Sequence, residues 1–422
     1  MRLLKGSVLV LVSSVIAGAM PFVLQTVLTR ILTPEDYGKI FIFQIISMAV
    51  LPFTHLSYNV FIEKSYFEKA VKSILHIRST AIITSILAGI IWLVLSLIIT
   101  NILNVDLGIP SHLVQLACFF ALMETLFTYG MSQLKIIENF KQLALFQILV
   151  VLIDVAFTLL LIVQLNLGWQ GRLYAKLIAW GLMGIFFLAR FYNHGQFILS
   201  WDTVKFKQLT TFSLPLLPHT LSALLITISD RTLISYMEGP EELGLYSIGY
   251  QWGLIITTLG VAFNKVWQPL AYKLLNTNTP SSKLKLTRVF YGATGLVFLI
   301  AILLYIFSPF LIEILLGKAF HSSSSFVQYI CFAYAFNIAY ILILPIIYYK
   351  SGTRLVFSTT LITAILNLLL NYYLIGKLGA IGAAQATMIS FAVKFMLIWF
   401  LSDRLHKMPW FSLNIITWRR FN

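Results

Sequence analysis

The stretch 33-TPEDYGKI-40 sets two acids and a proline between long apolar runs, and 239-GPEELGLY-246 repeats this pattern 206 positions later. Proline is well tolerated at the first position of a helix, because its missing N–H would have no partner there. Acids in the first turn face the positive end of the helix dipole. Both stretches therefore predict the start of a helix. The first start comprises Thr33 as the N-cap, Pro34, Glu35 and Asp36, and the second comprises Gly239, Pro240, Glu241 and Glu242.

A second pair of stretches indicates that the chain contains an internal duplication. Gly168 and Gly171 lie in LGWQGRLYAK, and Gly379 and Gly382 lie in LGAIGAAQAT. Gly168 pairs with Gly379 and Gly171 pairs with Gly382, each at a separation of 211 positions. Two marker pairs in the same order and at nearly the same spacing are typical of a repeated unit. We therefore expect two halves of similar structure.

The composition is that of a chain that folds in a membrane. Hydrophobic residues make up 59% of it and charged residues only 11%, whereas soluble domains carry about 25% charged residues. Apolar runs of about twenty residues, the length that a helix needs to cross a bilayer, recur throughout. The first run, near 8–28, has no obvious small-residue cleavage site and is expected to remain as the first membrane helix. The sequence therefore predicts a multi-pass membrane protein.

Hydropathy, interrupted by proline, glycine and charge, predicts twelve spans. Since each half holds six spans, both halves enter the membrane in the same direction and form parallel repeats. The predicted fold class is an all-α integral membrane protein with twelve transmembrane helices in two six-helix lobes around a central cleft. The N-terminal lobe covers 1–195, a cytoplasmic linker 196–210, the C-terminal lobe 211–402 and a cytoplasmic tail 403–422. The spans lie near 8–29, 40–62, 79–101, 112–134, 142–165, 173–191, 211–236, 244–268, 287–308, 326–348, 355–375 and 380–401.

The distribution of lysine and arginine predicts the orientation of these spans. Loops assigned to one side carry 21 of the 30 basic residues, loops on the other side carry five, and four fall within spans. By the positive-inside rule the richer side is cytoplasmic, so both termini are expected in the cytoplasm. Because the basic residues are scattered singly, the formal charge of +15 does not indicate a nucleic-acid partner.

Ionisable side chains at membrane depth are costly, so they are candidates for function. Arg231 is expected either to line the cleft or to form a buried structural ion pair. Its neighbour Asp230 is not expected to pair with it, since adjacent helical residues point about 100° apart. Asp154 and Glu124 are candidates for a proton site or for partners of a lysine. His55 is a further titratable group at this depth.

Three lysines and a second histidine each leave two interpretations open. Lys176, Lys265 and Lys394 lie near span ends, where a lysine binds an anionic substrate or extends its ammonium group to the lipid headgroups. His219 follows two prolines on the seventh span and is either a pH-sensitive gate or a partner for backbone that the prolines free. Arginine and lysine are the residues that recognise phosphate, which favours an anionic substrate.

The sequence contains no motif of soluble catalysis. It has no GxxxxGK[ST] loop for ATP phosphates, no metal-ligand cluster and no nucleophile motif, so no cofactor or metal is expected. Its two cysteines, both in apolar runs, indicate neither a disulfide framework nor a zinc site. The outer loops are short, whereas a membrane enzyme usually needs a larger loop or a cluster of acids. These features favour a transporter.

Five stretches spread over nearly the whole chain carry a family resemblance through their order and spacing. They are 29-TRILTPEDYGKI-40, 213-SLPLLPHTLSALLITISDRTLI-234, 243-LGLYSIGYQW-252, 308-SPFLIEILLGKAF-320 and 367-NLLLNYYLIGKLGAIGAAQAT-387. With these stretches, the chain resembles the Wzx-type polysaccharide flippases, which translocate O-antigen and capsule repeat units and belong to the MATE-like MOP superfamily. Twelve spans in two six-helix lobes are also what this family shows.

The resemblance implies a flippase of the bacterial cytoplasmic (inner) membrane that moves an oligosaccharide linked to undecaprenyl diphosphate. Such proteins hold sugar and diphosphate in a polar, often cationic cleft while the lipid tail stays in the bilayer. Some members couple this movement to an ion gradient, so Na⁺ or H⁺ is a candidate coupling ion. Membrane lipids and the polysaccharide polymerase machinery are implied partners. Arg30 and Arg231 are the positions that the resemblance nominates for the cleft.

The candidate site residues therefore fall into two groups, and three alternatives to this function stay open. The substrate-binding candidates are Arg30, Arg231, Lys265, Lys176 and Lys394, and the ion-coupling or gating candidates are Asp230, Asp154, Glu124 and His219. The alternatives are a MATE-like exporter of small molecules, a lipid II flippase, which usually has two further helices, and a membrane polysaccharide polymerase or ligase.

Overall fold

The computed structural model describes residues 2–68, 71–350 and 353–411, and within these ranges the chain consists of helices and short connections. This confirms the predicted all-α class. The predicted tail 403–422 lies outside the described residues from 412 onwards. The α-helices are α1 (Arg2–Leu28), α2 (Pro34–His55), α3 (Tyr58–Glu68), α4 (Val71–Leu97), α5 (Ser111–Ile136), α6 (Phe140–Leu159), α7 (Gly168–Asn193), α8 (Thr203–Ser213), α9 (Leu217–Met237), α10 (Pro240–Thr277), α11 (Pro280–Leu315), α12 (Ser324–Tyr349), α13 (Thr353–Leu378) and α14 (Ala380–Leu405).

Four short helical segments of other geometry adjoin these helices. The π-helical segments Ile98–Ile102 and Leu160–Gln164 continue α4 and α6. The 3₁₀ segments Leu214–Leu216 and Lys318–Ser323 precede α9 and α12.

The two predicted helix starts are both confirmed. At the start of α2, Thr33 Oγ1 accepts a hydrogen bond from the Asp36 N–H at 3.2 Å, and Asp36 Oδ2 accepts one from the Thr33 N–H at 3.0 Å. This reciprocal capping box satisfies two N–H groups that no helical carbonyl reaches. At the start of α10, Gly239 is the N-cap and has φ +93°, in the left-handed region that favours glycine. Both helices begin with proline and two acids.

Two compact units, Met1–Leu224 and Leu225–Asn422, repeat one packing scheme. In the N-terminal unit α5 packs against α2, α4 and α7, and α6 packs against α7. In the C-terminal unit α12 packs against α10, α11 and α14, and α13 packs against α14. In this scheme, α10, α11, α12, α13 and α14 correspond in order to α2, α4, α5, α6 and α7. This is the arrangement that an internal duplication predicts, while the lobe boundaries predicted near 195 and 211 stay predictions.

The paired glycines occupy equivalent joints in the two units. Gly168 begins α7 with φ +56°, and Gly379 precedes α14 with φ +65°. Gly171 and Gly382 then let the new helix approach the end of the helix before it. A Cβ at Gly171 would lie 3.1 Å from the Ile162 side chain, and one at Gly382 would lie 2.2 Å from a backbone oxygen of α13.

Small residues bring α10 and α12 into close contact in the C-terminal unit. A Cβ at Gly249 would lie 2.7 Å from the Ser323 carbonyl oxygen, and one at Gly253 would lie 2.4 Å from the Ile330 side chain. Glycines four residues apart form the small-xxx-small pattern by which membrane helices pack closely. The side chains on this face of α12 therefore rest on the backbone of α10.

Nine helices within the described ranges are long and apolar enough to cross a membrane. They confirm a multi-pass membrane protein, and the count of twelve stays a prediction. Within α1, the stretch Val12–Leu28 is a further apolar helical segment. The nine are Pro34–His55, Ser73–Ile102, Ser111–Ile136, Phe140–Gln164, Gly168–Asn193, Pro280–Leu315, Lys318–Tyr349, Arg354–Leu378 and Ala380–Leu405.

Candidate functional site

A bidentate ion pair joins α6 to α7 inside the N-terminal unit. Arg172 Nη1 donates to Asp154 Oδ1 at 2.5 Å, and Nη2 donates to Oδ2 at 3.0 Å. Nη1 also donates to Thr158 Oγ1 at 2.9 Å. Asp154 is only 6% exposed, so its carboxylate depends on this partner. Two parallel N–H···O bonds hold both side chains in a single orientation.

Lys176 and Glu124 extend this ion pair into a network of four charged side chains. Lys176 lies one turn after Arg172 on α7, with Nζ 5.9 Å from the centre of the Phe120 ring. Its ammonium group interacts electrostatically with Asp154 and with Glu124 of α5. When all four groups are ionised, two positive charges balance two negative ones. This cluster therefore balances its own charge, whereas Arg78, also buried in this unit, donates to Gln133 Oε1.

Arg172 is the member of this network that the sequence analysis missed. It lies one residue before the predicted span 173–191, and so in a predicted outer loop, yet it is part of α7. The spacing of Arg172 and Lys176, four residues apart, was the available signal, because such residues share one face of a helix.

A second charged pair, in the C-terminal unit, is surrounded by aromatic rings. Asp230 is fully buried and Arg231 is 9% exposed. Tyr246 Oη donates a hydrogen bond to Asp230 Oδ2. The Arg231 guanidinium stacks over the Tyr250 ring at 4.2 Å from its centre and donates from Nη1 to the Thr227 carbonyl oxygen. The two adjacent residues thus have different side-chain partners.

Lys394, on α14, is a buried cation whose neighbours are aromatic. It is 8% exposed, and its Nζ lies 4.0 Å from the centre of the Tyr340 ring and 5.6 Å from that of Phe391. Within the described ranges, no carboxylate oxygen lies within 4.0 Å of it. Cation–π contacts stabilise such a group by about 0.5–2 kcal/mol. Burial inside the unit favours a role there over contact with lipid headgroups.

A neutral polar cluster connects α9 to α13 near the charged pair. Ser229 Oγ donates to Asn367 Oδ1 at 3.0 Å, and Asn371 Nδ2 donates to the same oxygen at 3.0 Å. All three side chains are buried. Asn371 Oδ1 accepts no hydrogen bond from any residue that the structure describes. A search for ionisable groups does not find this cluster, although two asparagines four residues apart at membrane depth are a usable signal.

The remaining candidates are placed less fully. Arg30 lies exposed in the turn after α1. The side chains of Lys265 and His219 lie outside the described residues, so both stay predictions. His55 stacks on the Tyr129 ring, with 5.8 Å between ring centres.

The family assignment follows from comparison with known proteins. The model of a polysaccharide biosynthesis protein family matches residues 27–325, and the chain belongs to this family. No curated protein matches the sequence.

The fold is shared with solved membrane transporters at low sequence identity. The lipid II flippase MurJ, in an inward closed conformation, aligns with a TM-score of 0.77 at 16% identity, over 93% of this chain and 87% of its own. A multidrug resistance MATE transporter of the MOP superfamily, facing inward, gives 0.70 at 12% identity over 93% and 96%. A variant of the MATE transporter VcmN from Vibrio cholerae gives 0.65 at 13% identity over 96% of both chains. The protein is therefore a polysaccharide biosynthesis protein with the fold of the MOP superfamily.

Proposed function

We propose that this protein is a flippase that moves an oligosaccharide repeat unit, linked to undecaprenyl diphosphate, from the cytoplasmic to the outer leaflet of a bacterial inner membrane. Three observations support this. The family is one of polysaccharide biosynthesis, the fold is shared with a lipid II flippase, and buried cations lie on spanning helices. O-antigen and capsule repeat units are the expected substrates, carried across by alternating access.

The observation that carries the proposal is the buried cation of the C-terminal unit, Lys394. Burying a lysine without a carboxylate partner lowers the stability of the fold. We therefore expect a protein that keeps such a lysine to use its charge in function. A diphosphate supplies the missing negative charge, since arginine and lysine bind phosphate through charge-assisted hydrogen bonds. Arg231 offers a second cation, a guanidinium that stacks over the Tyr250 ring. The same two cations give an exporter of organic cations no advantage.

Coupling to Na⁺ or H⁺ forms part of the proposal. Asp230 is the carboxylate of the C-terminal unit best placed for this role. Ser229 beside it and Asn371 both donate hydrogen bonds to Asn367 Oδ1. The Asn371 Oδ1 has no hydrogen-bond donor among the described residues. In the N-terminal unit the Asp154 carboxylate is already bound by Arg172, which leaves Glu124 as the better candidate there. The polymerase machinery that consumes the repeat unit is the proposed protein partner.

The proposal is tested in a deletion strain by separating lipid-linked saccharides by leaflet. We expect complete repeat units on undecaprenyl diphosphate to accumulate at the cytoplasmic face, with loss of surface polysaccharide. If repeat units reach the outer face and stay unpolymerised, the flippase assignment is wrong and a polymerase or ligase takes its place.

Lipid II flipping is the second candidate, favoured by the TM-score of 0.77 with a lipid II flippase. The same strain distinguishes the two. Accumulation of the cell-wall precursor with intact surface glycan identifies lipid II as the substrate. Loss of resistance to organic cations with both glycans intact identifies an exporter.

A further inference from the structure

Positive charge gathers around a buried histidine where α14 ends. His406 follows the last residue of α14 and is 7% exposed. Its Nε2 has no hydrogen-bond partner in the part of the chain described. Its ring lies 6.3 Å from that of Tyr349, at the end of α12. A buried ring nitrogen without a partner is destabilising unless a ligand completes it.

The charged neighbours of this histidine are lysines from two other elements. Burial lowers the pKa of His406, and the ammonium groups of Lys283 on α11 and Lys350 after α12 lower it further. Lys283 Nζ donates to the Lys407 carbonyl oxygen at 3.3 Å. The nearby acid Asp403 accepts a hydrogen bond from the Met408 N–H at 3.2 Å. Among the residues that the structure describes, the cations around His406 therefore have no carboxylate in an ion pair.

The first turn of α11 adds to this positive charge. Thr279 caps the helix, Pro280 begins it, and its first turn contains no acid. The first turns of α2 and α10 contain two acids each. The positive end of the α11 dipole thus lies beside Lys283 without compensation, and such helix ends attract phosphate.

Aromatic side chains place this cluster at the level of a membrane surface. Tyr291 Oη donates to the Trp410 carbonyl oxygen at 3.0 Å, and the Trp410 ring packs edge-on against Trp399. Phe411 is 87% exposed. Tryptophan and tyrosine concentrate where bilayer meets water, and lysines beside them attract anionic lipids. The lysine distribution predicts that this end of the unit is cytoplasmic.

We propose that Lys283, Lys350 and His406 bind the phosphate group of a lipid headgroup at this end of the C-terminal unit. The phosphate supplies the counter-charge for both lysines and an acceptor for His406 once that ring is protonated. Binding therefore takes up a proton, and affinity rises as pH falls from about 8 to about 6. This site is distinct from the membrane-depth cations proposed to hold the transported substrate.

The test uses the purified full chain, stripped of lipid in a neutral detergent. Binding of phosphatidylglycerol, phosphatidylcholine, a prenyl diphosphate and inorganic phosphate is measured by native mass spectrometry. Replacing both lysines, by Lys283→Gln with Lys350→Gln, is expected to weaken anionic lipid binding about 30-fold, since each surface lysine contributes about 1 kcal/mol. His406→Gln should keep most of the affinity at pH 8 and lose the increase at pH 6.

The matched control removes the same charge from the N-terminal unit, through Lys205→Gln with Lys207→Gln on α8. Unchanged affinity in this control, with a clear loss in the first pair, supports the site. A preference for the prenyl diphosphate over phosphatidylglycerol identifies the carrier lipid as the source of the phosphate. Three results would overturn the proposal. They are equal losses of affinity in both pairs of variants, binding of phosphatidylcholine equal to that of phosphatidylglycerol, and binding of inorganic phosphate as tight as that of lipid.

Discussion

The two units share one packing scheme but differ in how one cluster of buried charge in each is matched. In the N-terminal unit, Arg172 meets Asp154 in a bidentate pair, and Lys176 interacts with Glu124. In the C-terminal unit, the nearest groups around the Lys394 ammonium are aromatic rings. The charged cluster on α5, α6 and α7 is therefore matched in sign, whereas Lys394 keeps a positive charge that we propose a ligand meets.

The largest expected effect comes from reversing the charge of Arg231. Arg231→Glu places a second carboxylate beside fully buried Asp230 and removes a cation that we assign to the diphosphate. We expect surface polysaccharide to be abolished, while Arg231→Lys retains part of it because phosphate accepts either cation. Surface glycan is quantified in cells that carry equal amounts of each variant in the membrane. Normal glycan from Arg231→Glu at wild-type protein levels removes this residue from the site.

The paired charge of the N-terminal unit should matter for stability. Asp154→Asn leaves the Arg172 guanidinium buried without its carboxylate, and we expect a loss of about 3–5 kcal/mol in the free energy of unfolding. Thermal unfolding of the purified protein in detergent measures it. The control is Glu35→Gln, which breaks the exposed pair with Lys39 and should cost about 1 kcal/mol or less. Similar losses in the two variants would show that the buried pair is not a stabilising element.

The two glycine joints should respond unequally to an added methyl group. In Gly382→Ala the Cβ would lie 2.2 Å from the Leu374 carbonyl oxygen, so backbone must move. In Gly171→Ala the first contact is a side chain at 3.1 Å. We expect the first change to cost about 1–3 kcal/mol and the second clearly less. Equal unfolding temperatures for the two variants would show that the closer contact at Gly382 does not make this joint less tolerant of a side chain.

The smallest expected effect separates binding from stability at Lys394. Lys394→Met removes a buried cation without a carboxylate, so stability should stay equal or rise. Translocation should fall about tenfold, which corresponds to about 1.4 kcal/mol of lost interaction. Both quantities are measured on one preparation reconstituted in vesicles. The counterpart Lys176→Met should instead lower stability, because it removes a charge that interacts with Glu124. Unimpaired translocation by Lys394→Met excludes a substrate role for this residue.

The parts of the fold that follow from local chemistry were predicted from the sequence. Thr33 caps α2 because its hydroxyl and the Asp36 carboxylate satisfy N–H groups within one turn. Gly168 and Gly379 mark equivalent joints because a positive φ is rare for any other residue. Such constraints involve neighbours in the chain, so a pattern of a few letters is enough to locate them.

The candidate site was predicted only where charge identified it. Asp154 and Lys394 stood out as ionisable groups at membrane depth, but their partners come from other helices. Arg172 seemed to belong to a loop because the end of a span cannot be placed to within one turn. Asn367 and Tyr250 carry no charge that hydropathy counts, so only the packed structure identified them as part of the polar clusters.

The positive-φ glycine at the start of α7 and at the N-cap of α14 also bears on how such proteins are compared. Because glycine adopts φ +56° and +65° at less cost than other residues, backbone geometry restricts substitution there, whatever the protein carries. These two glycines therefore serve as reference positions. Two halves whose polar residues no longer match can still be aligned by counting outward from Gly168 and Gly379.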